Sequence, residues 1–304
     1  MKADAEAVLV SGAQIPKARA SDFIGLTKPK LTSLVLFTTF VGFCAAAGGS
    51  IPLLLLAHTL IGTGLMSAGA AAFNMYTEQE IDARMKRTAL RPLAAGRLQS
   101  GHALVFALLV SVSGLVYLYW FVNHMTSLLS AIIFACYLFM YTPLKTRTWL
   151  CTLVGAVPGA LPVVMGWTAV DGNLSSGGAW LLFAIVFLWQ IPHFYAIGWM
   201  HRDDYAQAGL PVLSVVDLNG KRTGRQTVAF IAALILVSFL PSVYGMAGIP
   251  YALGAAVFGF AFLGYGIHFA RLRDYRSARR LFLASALYLP ALLVLLVLDN
   301  LAAR

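Results

Sequence analysis

The chain has 304 residues, of which 60% are apolar and only 11% are charged. Average proteins have about 25% charged residues, so this composition excludes a soluble domain with a charged surface and indicates an integral membrane protein. The formal net charge is +10, but the basic residues lie in short clusters between apolar runs. That pattern is typical of membrane topology, so we expect a lipid bilayer and no nucleic acid as the partner of these charges.

Nine apolar runs follow one another along the chain. A bilayer core about 30 Å thick requires about 20 residues of helix, and each run is close to that length. We therefore predict an all-α fold, a polytopic bundle of about nine transmembrane helices. The predicted spans are 31–49, 53–76, 103–122, 125–141, 149–169, 179–200, 228–246, 251–270 and 280–299. Residues 1–30 are predicted to form a cytoplasmic amino-terminal tail, and residues 31–304 a transmembrane domain.

The basic residues favour one side of this predicted bundle. The amino-terminal tail and the loops after the second, fourth, sixth and eighth spans hold 21 of the 22 Lys and Arg residues. Because positively charged loops stay in the cytoplasm, we predict a cytoplasmic amino terminus. The first 30 residues contain no apolar stretch of signal-peptide length, and Asp4 and Glu6 argue against a transit peptide. A bacterial inner membrane is the predicted location.

Polar side chains follow the second span directly, at the predicted cytoplasmic edge. Asn74, Glu78 and Asp82 are four residues apart, so on a continuous helix they share one face. Like charges at this spacing repel each other, and a bound cation would relieve the repulsion. Mg²⁺ is usually held by carboxylates together with substrate phosphates. The spacing favours a magnesium site over the alternative, which is an ordinary solvated helix end.

Basic residues follow this acidic cluster at once, among them Arg87 and Arg91. Carboxylates that hold a metal ion beside arginines and lysines form a clamp for a diphosphate. Lys145, after the fourth span, lies at the same predicted edge. It is either a further phosphate ligand or a positively charged membrane anchor.

A second acidic pair, Asp203 and Asp204, follows the sixth span at the edge that also carries Asp82. Two acidic clusters that face each other could hold two ions across one diphosphate. Deeper in the same span, Pro192 is expected to kink the helix. The neighbouring His193 is an ionisable group within the membrane, which makes it a functional candidate. A simple hydrogen bond to a neighbouring helix is the equal alternative for this histidine.

Together these motifs resemble a known family. The segment from Asn74 to Asp82 resembles the first aspartate-rich motif of the UbiA superfamily of intramembrane prenyltransferases. Its continuation through residues 81–93 is similar to the haem-modifying branch of that superfamily, as are 141–145, 192–194 and 203–211. The motifs lie within residues 74–216, and the nine-span layout extends the resemblance over nearly the whole chain.

The chain departs from the general superfamily pattern at two positions. Glu78 stands where the first motif often has aspartate, which keeps the charge and lengthens the side chain. The second motif usually has aspartates four residues apart, whereas Asp203 and Asp204 are adjacent. The adjacent pair fits the haem-modifying branch and leaves open which of the two contacts metal.

The resemblance implies a bundle of nine helices around a central cavity that opens laterally to lipid. It implies transfer of a farnesyl group from farnesyl diphosphate to a vinyl group of haem b, with addition of water, giving haem O and diphosphate. Haem O is then the precursor of haem A or a cofactor of terminal oxidases, so haem A synthase and oxidase assembly proteins are the candidate protein partners. The implied catalytic and metal ligands, with Mg²⁺ as the cofactor, are Asn74, Glu78, Asp82, Asp203 and Asp204, and the implied diphosphate ligands are Arg87, Arg91 and Lys145.

Two further roles follow from the implied reaction. Ionisation of farnesyl diphosphate creates an allylic cation or a loose equivalent, which the aromatic faces of Phe73 or Tyr76 could stabilise by roughly 0.5–2 kcal/mol. His193 is predicted to contact the haem or its propionates. No side chain needs to act as a covalent nucleophile.

Three alternatives remain open at this stage. A related enzyme of the same superfamily would prenylate a quinone or chlorophyll precursor, although the segment from His193 to Tyr205 argues for haem. A membrane transporter would place its ion-binding groups near the bilayer midplane, whereas these carboxylates gather at one edge. A non-catalytic protein of haem delivery would release no diphosphate.

Overall fold

A computed structural model describes residues 19–302, which form helices and connecting loops without a strand. The helices, with one π-helical segment between α6 and α7, are α1 (Ala20–Leu26), α2 (Pro29–Ala47), α3 (Leu53–Thr77), α4 (Gln79–Ala83), α5 (Ser100–Phe121), α6 (His124–Ala135), the π segment (Cys136–Tyr141), α7 (Thr142–Lys145), α8 (Cys151–Asp171), α9 (Gly177–Met200), α10 (Arg202–Gln207), α11 (Leu213–Val216), α12 (Lys221–Val243), α13 (Ile249–Leu272) and α14 (Tyr275–Ala302).

Nine segments of the described chain are long and apolar enough to cross a bilayer, which confirms the predicted number. They are α2, α3, α5, the run from α6 through α7, α8, α9, α12, α13 and α14. The largest boundary difference is at α12, which begins at Lys221 rather than at residue 228. Hydropathy does not detect this polar first part, where the guanidinium carbon of Arg222 lies 4.1 Å from the centre of the Trp149 ring.

Close helix packing depends on glycine where α2 crosses α8. A Cβ atom on Gly42 would overlap the carbonyl oxygen of Val163, and one on Gly166 would overlap the carbonyl oxygen of Thr39. Each helix therefore presents a glycine to the backbone of the other, which is a common way for membrane helices to approach closely. The contact fixes α2 against α8, one of the walls of the cavity described below.

The two most buried spans are α8 and α9, and the remaining spans surround them. The main core of buried side chains joins α9 to α12, α13 and α14. Within it, the indole N–H of Trp189 donates to the carbonyl oxygen of Ser285 at 2.7 Å. This contact fixes the helical face of α9 that is directed away from the cavity.

Short helices and loops close one end of the bundle, which we call the cap: α1, α4, α7, α10 and α11 with residues 84–99. Asp22 of α1 forms an ion pair with Arg97 at 2.9 Å, and Leu26 packs against Met75 and Leu93. Residues 20–30 thus pack onto the bundle, whereas residues 1–18 of the predicted tail lie outside the described range.

Candidate active site

The first polar cluster lies where α3 ends and α4 begins. The shared helical face predicted for this cluster assumes a continuous helix, which Glu78 (φ −99°, ψ 7°) interrupts. The spacing nevertheless survives, since the N–H of Glu78 donates to the Asn74 carbonyl at 3.0 Å and that of Asp82 to the Glu78 carbonyl at 2.8 Å. Asn74, Glu78 and Asp82 are only 2%, 3% and 1% exposed. Buried charges need partners, so this cluster is not the solvated helix end of the alternative reading.

Three basic side chains supply those partners. Lys145 Nζ lies 2.9 Å from Glu78 Oε2, and Arg91 Nη1 lies 2.6 Å from Asp82 Oδ2. Lys28 Nζ, just before α2, donates to Asn74 Oδ1 at 2.6 Å. The cluster therefore combines groups from the residue before α2, the end of α3, α4, the end of α7 and the loop after α4. Burial reduces the contact of these charged groups with water, and the lower local dielectric constant strengthens their mutual attraction.

The pKa values at the cap follow from this crowding. Burial, together with the charges of Arg91 and Lys145, lowers the pKa of Lys28 to about 8, although Glu78 and Asp82 act in the opposite direction. Burial alone would raise the pKa of Glu78, but Lys145 and Lys28 outweigh it and hold that pKa below its usual range. Glu78 is therefore ionised at neutral pH, as a metal ligand must be.

The cluster retains free bonding capacity of the kind a metal ion requires. Glu78 Oε1 and Asp82 Oδ1 are buried and have no hydrogen-bond partner within the described residues. The unpartnered atom of Asn74 is the donor Nδ2, which is no metal ligand, and its oxygen Oδ1 accepts from Lys28. Two unpartnered carboxylate oxygens at one site suit a hard cation such as Mg²⁺. The residues of the first cluster thus fit the predicted ion.

The second acidic cluster is different. Asp203 is exposed and Asp204 is half-buried on α10, and neither carboxylate takes part in an ion pair or a side-chain hydrogen bond within residues 19–302. No three acidic, histidine or cysteine side chains of the described chain lie close enough together to hold a metal ion. The structure therefore does not bring Asp203 and Asp204 into a common site with Asp82.

The two clusters are nevertheless connected through neighbouring side chains. Arg87 is exposed, and its Nη2 donates to the hydroxyl of Tyr205 at 3.4 Å. Beneath this contact, Met85 packs against Ala208 and Leu210. The loop after α4 and the segment after α10 therefore form one surface of the cap, with Asp203 and Asp204 at its rim.

An apolar cavity of about 290 Å³ leads away from the cap into the bundle. Lys145 and Tyr205 line the end next to the first cluster, whereas Thr63 and Met165 line parts of its wall further along. None of the five predicted metal ligands lines the cavity itself, so Lys145 is the group that connects the cavity with Glu78. Phe194 lines the cavity and is also 41% exposed on the outside of the bundle.

The π segment supplies two tyrosines to the cavity. Tyr137 and Tyr141 stack with ring centres 5.4 Å apart, and both line the cavity. Pro143 cannot donate a backbone hydrogen bond one turn back, and a π-helical turn accommodates such a break and often marks a functional site. Gly155 is required opposite, because a Cβ atom there would lie 2.5 Å from the Tyr141 ring.

The aromatic residues predicted from the sequence lie elsewhere. Phe73 and Tyr76 are partly buried against the core of Ala72, Met75 and Ala107 between α3 and α5, and neither lines the cavity. Both lie within two positions of Asn74, but the sequence does not show which face of α3 meets the cavity. Their position gives no contact with a substrate in that cavity.

His193 lies beside the cavity rather than in its wall. Its Nδ1 is 2.7 Å from Ser285 Oγ, and its ring stacks on Trp189 with centres 4.9 Å apart. Ser285 Oγ also donates its single hydrogen to the Phe282 carbonyl at 2.6 Å. With the Ser285 hydrogen on the Phe282 carbonyl, Ser285 Oγ accepts from His193 Nδ1–H, and in that tautomer the ring lone pair lies on Nε2.

Sequence reasoning missed four residues of the site: Lys28, Tyr137, Tyr141 and Gln190. Lys28 was counted only as a topological charge, although its place directly before the first span was a usable signal. Gln190 lines the cavity and is 5% exposed, and an amide within an apolar span was visible in the sequence. Tyr137 and Tyr141 line the cavity as part of the π segment, and the periodicity of apolar residues does not predict that segment.

Comparisons with known proteins agree with this architecture. Residues 35–291 match the model of the UbiA prenyltransferase family. The protoheme IX farnesyltransferase of Solibacter usitatus (strain Ellin6076) is 46% identical over 288 residues, which cover 92% of this chain and 98% of that relative. A UbiA homologue from Aeropyrum pernix K1 superposes with a TM-score of 0.69 at 20% identity, covering 87% of this chain and 97% of that one. A UbiA homologue from Archaeoglobus fulgidus bound to GPP and Mg²⁺ gives a TM-score of 0.60 at 12% identity, covering 90% of this chain and 99% of that one.

Proposed function

From the premise that this chain belongs to the UbiA prenyltransferase family, we propose that it transfers a farnesyl group from farnesyl diphosphate to a vinyl group of haem b. The chain is a multi-pass membrane prenyltransferase. The choice of haem as the acceptor rests on related proteins, since the Solibacter usitatus protein bears the name protoheme IX farnesyltransferase. The structural observation that carries the proposal is the cluster of buried carboxylates and partly buried cations at one end of an apolar cavity.

The reaction balances without a covalent enzyme intermediate. The allylic C–O bond of farnesyl diphosphate breaks, and diphosphate leaves with the bonding electrons. The π electrons of the haem vinyl group form the new C–C bond to the farnesyl C1 carbon, which leaves a cation on the vinyl carbon next to the ring. Water adds to that carbon and loses a proton to the departing diphosphate, which gives the hydroxyl of haem O.

Lys28, Arg91 and Lys145 bind the diphosphate oxygens in this proposal, with Arg87 at the rim. In the structure these cations are held by the carboxylates of Glu78 and Asp82 or by Asn74, so the cluster is arranged before substrate arrives. Charge stabilisation by fixed groups in a water-poor site is a large contribution to catalysis.

Mg²⁺ fits the unpartnered oxygens of Glu78 and Asp82, with Asn74 beside them. When bound, the ion would neutralise charge that develops on the leaving diphosphate. Asp203 and Asp204 are proposed to complete this site when the cap closes on the substrate. A UbiA homologue bound to GPP and Mg²⁺ supports the choice of ion.

The apolar cavity holds the farnesyl chain and limits the access of bulk water to the allylic cation. Tyr137 and Tyr141 face this cavity, and we assign to them the cation stabilisation predicted for Phe73 and Tyr76. Cation–π contact of this kind contributes about 0.5–2 kcal/mol. The cavity wall thus contributes to catalysis as well as to binding.

His193 remains the proposed haem contact. Gln190 and Ile197 of the same helix line the cavity on one side of it, and the free lone pair on Nε2 is the form that binds haem iron. Trp189 and Ser285 hold the ring in place.

The remaining parts of the proposal concern the cell. The distribution of Lys and Arg supports a cytoplasmic amino terminus, and we propose a bacterial inner membrane as the location and one transmembrane domain onto which α1 packs. Haem A synthase or terminal oxidase assembly proteins are the proposed recipients of the product.

A product assay tests the proposal. The purified protein is supplied with haem b, farnesyl diphosphate and Mg²⁺, and the haems are separated by mass. We expect a farnesylhydroxyethyl haem and an equal amount of diphosphate. If diphosphate is released with a quinone precursor but not with haem, the proposed acceptor is wrong and the reaction class stands. If no diphosphate is released with either acceptor, a transporter or an assembly protein is favoured.

A further inference from the structure

The cavity contains one group whose chemistry the proposed roles leave unused, the side-chain amide of Gln190. It is 5% exposed and lies in the middle of α9, where an uncompensated polar group is costly. Its Nε2 donates to the carbonyl oxygens of Ala156 and Val186, both at 3.3 Å. Because only the nitrogen can donate to two carbonyls, the oxygen Oε1 has to point the other way.

The wall opposite Gln190 is shaped around that oxygen. Oε1 accepts no hydrogen bond from any described residue, and a Cβ atom on Gly159 would overlap it. Gly159 and Gln190 both line the cavity. Two backbone hydrogen bonds thus hold the Gln190 amide in place. Its oxygen Oε1 lies beside Gly159, where the cavity wall has no side chain.

We propose that Gln190 Oε1 binds the water molecule that adds to the haem vinyl carbon after farnesyl transfer. This inference rests on the proposed function and names a residue for its last step. The water donates one hydrogen to Oε1, which directs an oxygen lone pair towards the vinyl cation. The new C–O bond takes both electrons from water oxygen, and the proton of the resulting oxonium leaves with diphosphate.

The depth of Gln190 suits this step. Tyr141 lies four residues before Lys145 and packs opposite Gly155, and Gly159 follows Gly155 by four residues. At about 1.5 Å per residue, Gln190 lies roughly two turns, or ~12 Å, below Lys145. The acceptor must occupy the space between the diphosphate and the far end of the cavity, and Gln190 borders that space.

Other polar groups of the cavity suit the role less well. Thr63 has a buried hydroxyl without a partner, but it lies eleven residues before Asn74 on α3, or about 16 Å deeper. The Tyr137 and Tyr141 hydroxyls donate as well as accept, whereas an amide oxygen only accepts. An acceptor leaves the water lone pair free for the cation.

The two possible fates of the vinyl cation give a direct readout. Addition of water gives the farnesylhydroxyethyl haem, whereas loss of a proton gives a conjugated alkene that is lighter by one water. Removing the acceptor in Gln190→Leu should slow only the first route. We expect the ratio of alkene to alcohol to rise up to about tenfold, the factor that corresponds to one lost hydrogen bond, while diphosphate release continues.

Two further variants keep this test decisive. Gly159→Ala retains the amide but displaces its oxygen, and it should shift the ratio in the same direction even if Gln190→Leu is poorly folded. Thr63→Val is the matched control, since it removes the buried, unpartnered hydroxyl of Thr63 without changing the shape of the side chain, and its ratio of alkene to alcohol should equal that of the wild type.

The outcomes separate this inference from the proposed function. An unchanged alcohol product in folded Gln190→Leu, with lower thermal stability only, would mean that Gln190 merely joins α8 to α9 and would overturn the inference alone. A shift in Thr63→Val instead would move the water site to Thr63 and overturn it as well. Absence of any farnesylated haem from the wild type would overturn the proposed function and this inference together.

Discussion

The two acidic clusters of the cap looked equivalent in sequence and differ strongly in structure. Glu78 and Asp82 are buried, and each has one oxygen paired with a cation. Asp203 and Asp204 lie at the rim without a partner among the described residues. The first cluster is therefore a preformed site, and the second is available to a ligand that arrives from outside.

The difference indicates a division of labour within the proposed mechanism. Preformed groups need little reorganisation when charge develops on the diphosphate, and the partly buried cations satisfy the carboxylates until the substrate arrives. The rim aspartates are free to respond to a bound metal diphosphate. Substitutions should therefore affect the two clusters differently, in activity and in stability.

The largest expected effect is loss of activity on Asp82→Asn. The amide keeps the shape but removes the charge that would hold Mg²⁺ and pair with Arg91, so turnover should fall about 100-fold or more. Diphosphate release by the purified variant at saturating Mg²⁺ measures it. Glu80→Gln is the matched control, because Glu80 is exposed on the same short helix. Normal turnover of Asp82→Asn would remove the metal role from the first cluster.

The second-largest expected effect is a difference in stability between variants of the two clusters. Glu78→Gln leaves the partly buried charge of Lys145 without its partner, which we expect to cost about 3 kcal/mol of unfolding free energy. Asp203→Asn breaks no contact of the described structure, and its cost should stay within about 0.5 kcal/mol. Thermal unfolding of both variants in one detergent provides the measurement, and equal losses would refute the distinction between a preformed and an open cluster.

A smaller effect is expected for Lys28, which belongs to the preformed cluster although it precedes the first span. Lys28→Met removes one charged donor and should raise the KM for farnesyl diphosphate about tenfold, since a hydrogen bond to a charged group contributes about 1.5–3 kcal/mol. Lys30→Met is the control, because Lys30 is exposed two residues further on. If both variants raise KM equally, the effect is general electrostatic attraction and Lys28 has no specific role.

The smallest expected effect concerns the cavity wall. Tyr141→Leu should lower turnover by a factor between about two and thirty, the equivalent of a lost cation–π contact. Phe73→Leu, outside the cavity, should leave turnover near the wild-type value. Single-turnover rates with both variants test this assignment, and the opposite order would restore Phe73 as the stabilising residue.

Much of this architecture could be predicted from the sequence. The number of spans depends on apolar length alone and is confirmed, and the predicted family is confirmed by the match over residues 35–291. The spacing of Asn74, Glu78 and Asp82 also predicted their grouping. The backbone break at Glu78 was not predictable, because local helical spacing is the same on both sides of it.

The remaining parts of the site depend on tertiary structure. Lys28 meets Asn74 across 46 positions of sequence, and Lys145 meets Glu78 across 67, so no local pattern reveals either pair. The π segment turns Tyr137 and Tyr141 into the cavity. The sequence pointed instead to Phe73 and Tyr76, which lie close to Asn74 on α3. The roles of Asp203 and Asp204 stay predictions, since they lie apart from the first cluster without a ligand.

The central claim is that the two clusters join around one magnesium diphosphate, and binding tests it most directly. An unreactive thiolodiphosphate analogue of farnesyl diphosphate is titrated calorimetrically into the wild type, Glu78→Gln and Asp203→Asn, each with and without Mg²⁺. The account predicts tight binding only to the wild type with Mg²⁺, and weaker binding to both variants. Equal affinity with and without Mg²⁺, or unchanged affinity in Asp203→Asn, would contradict it.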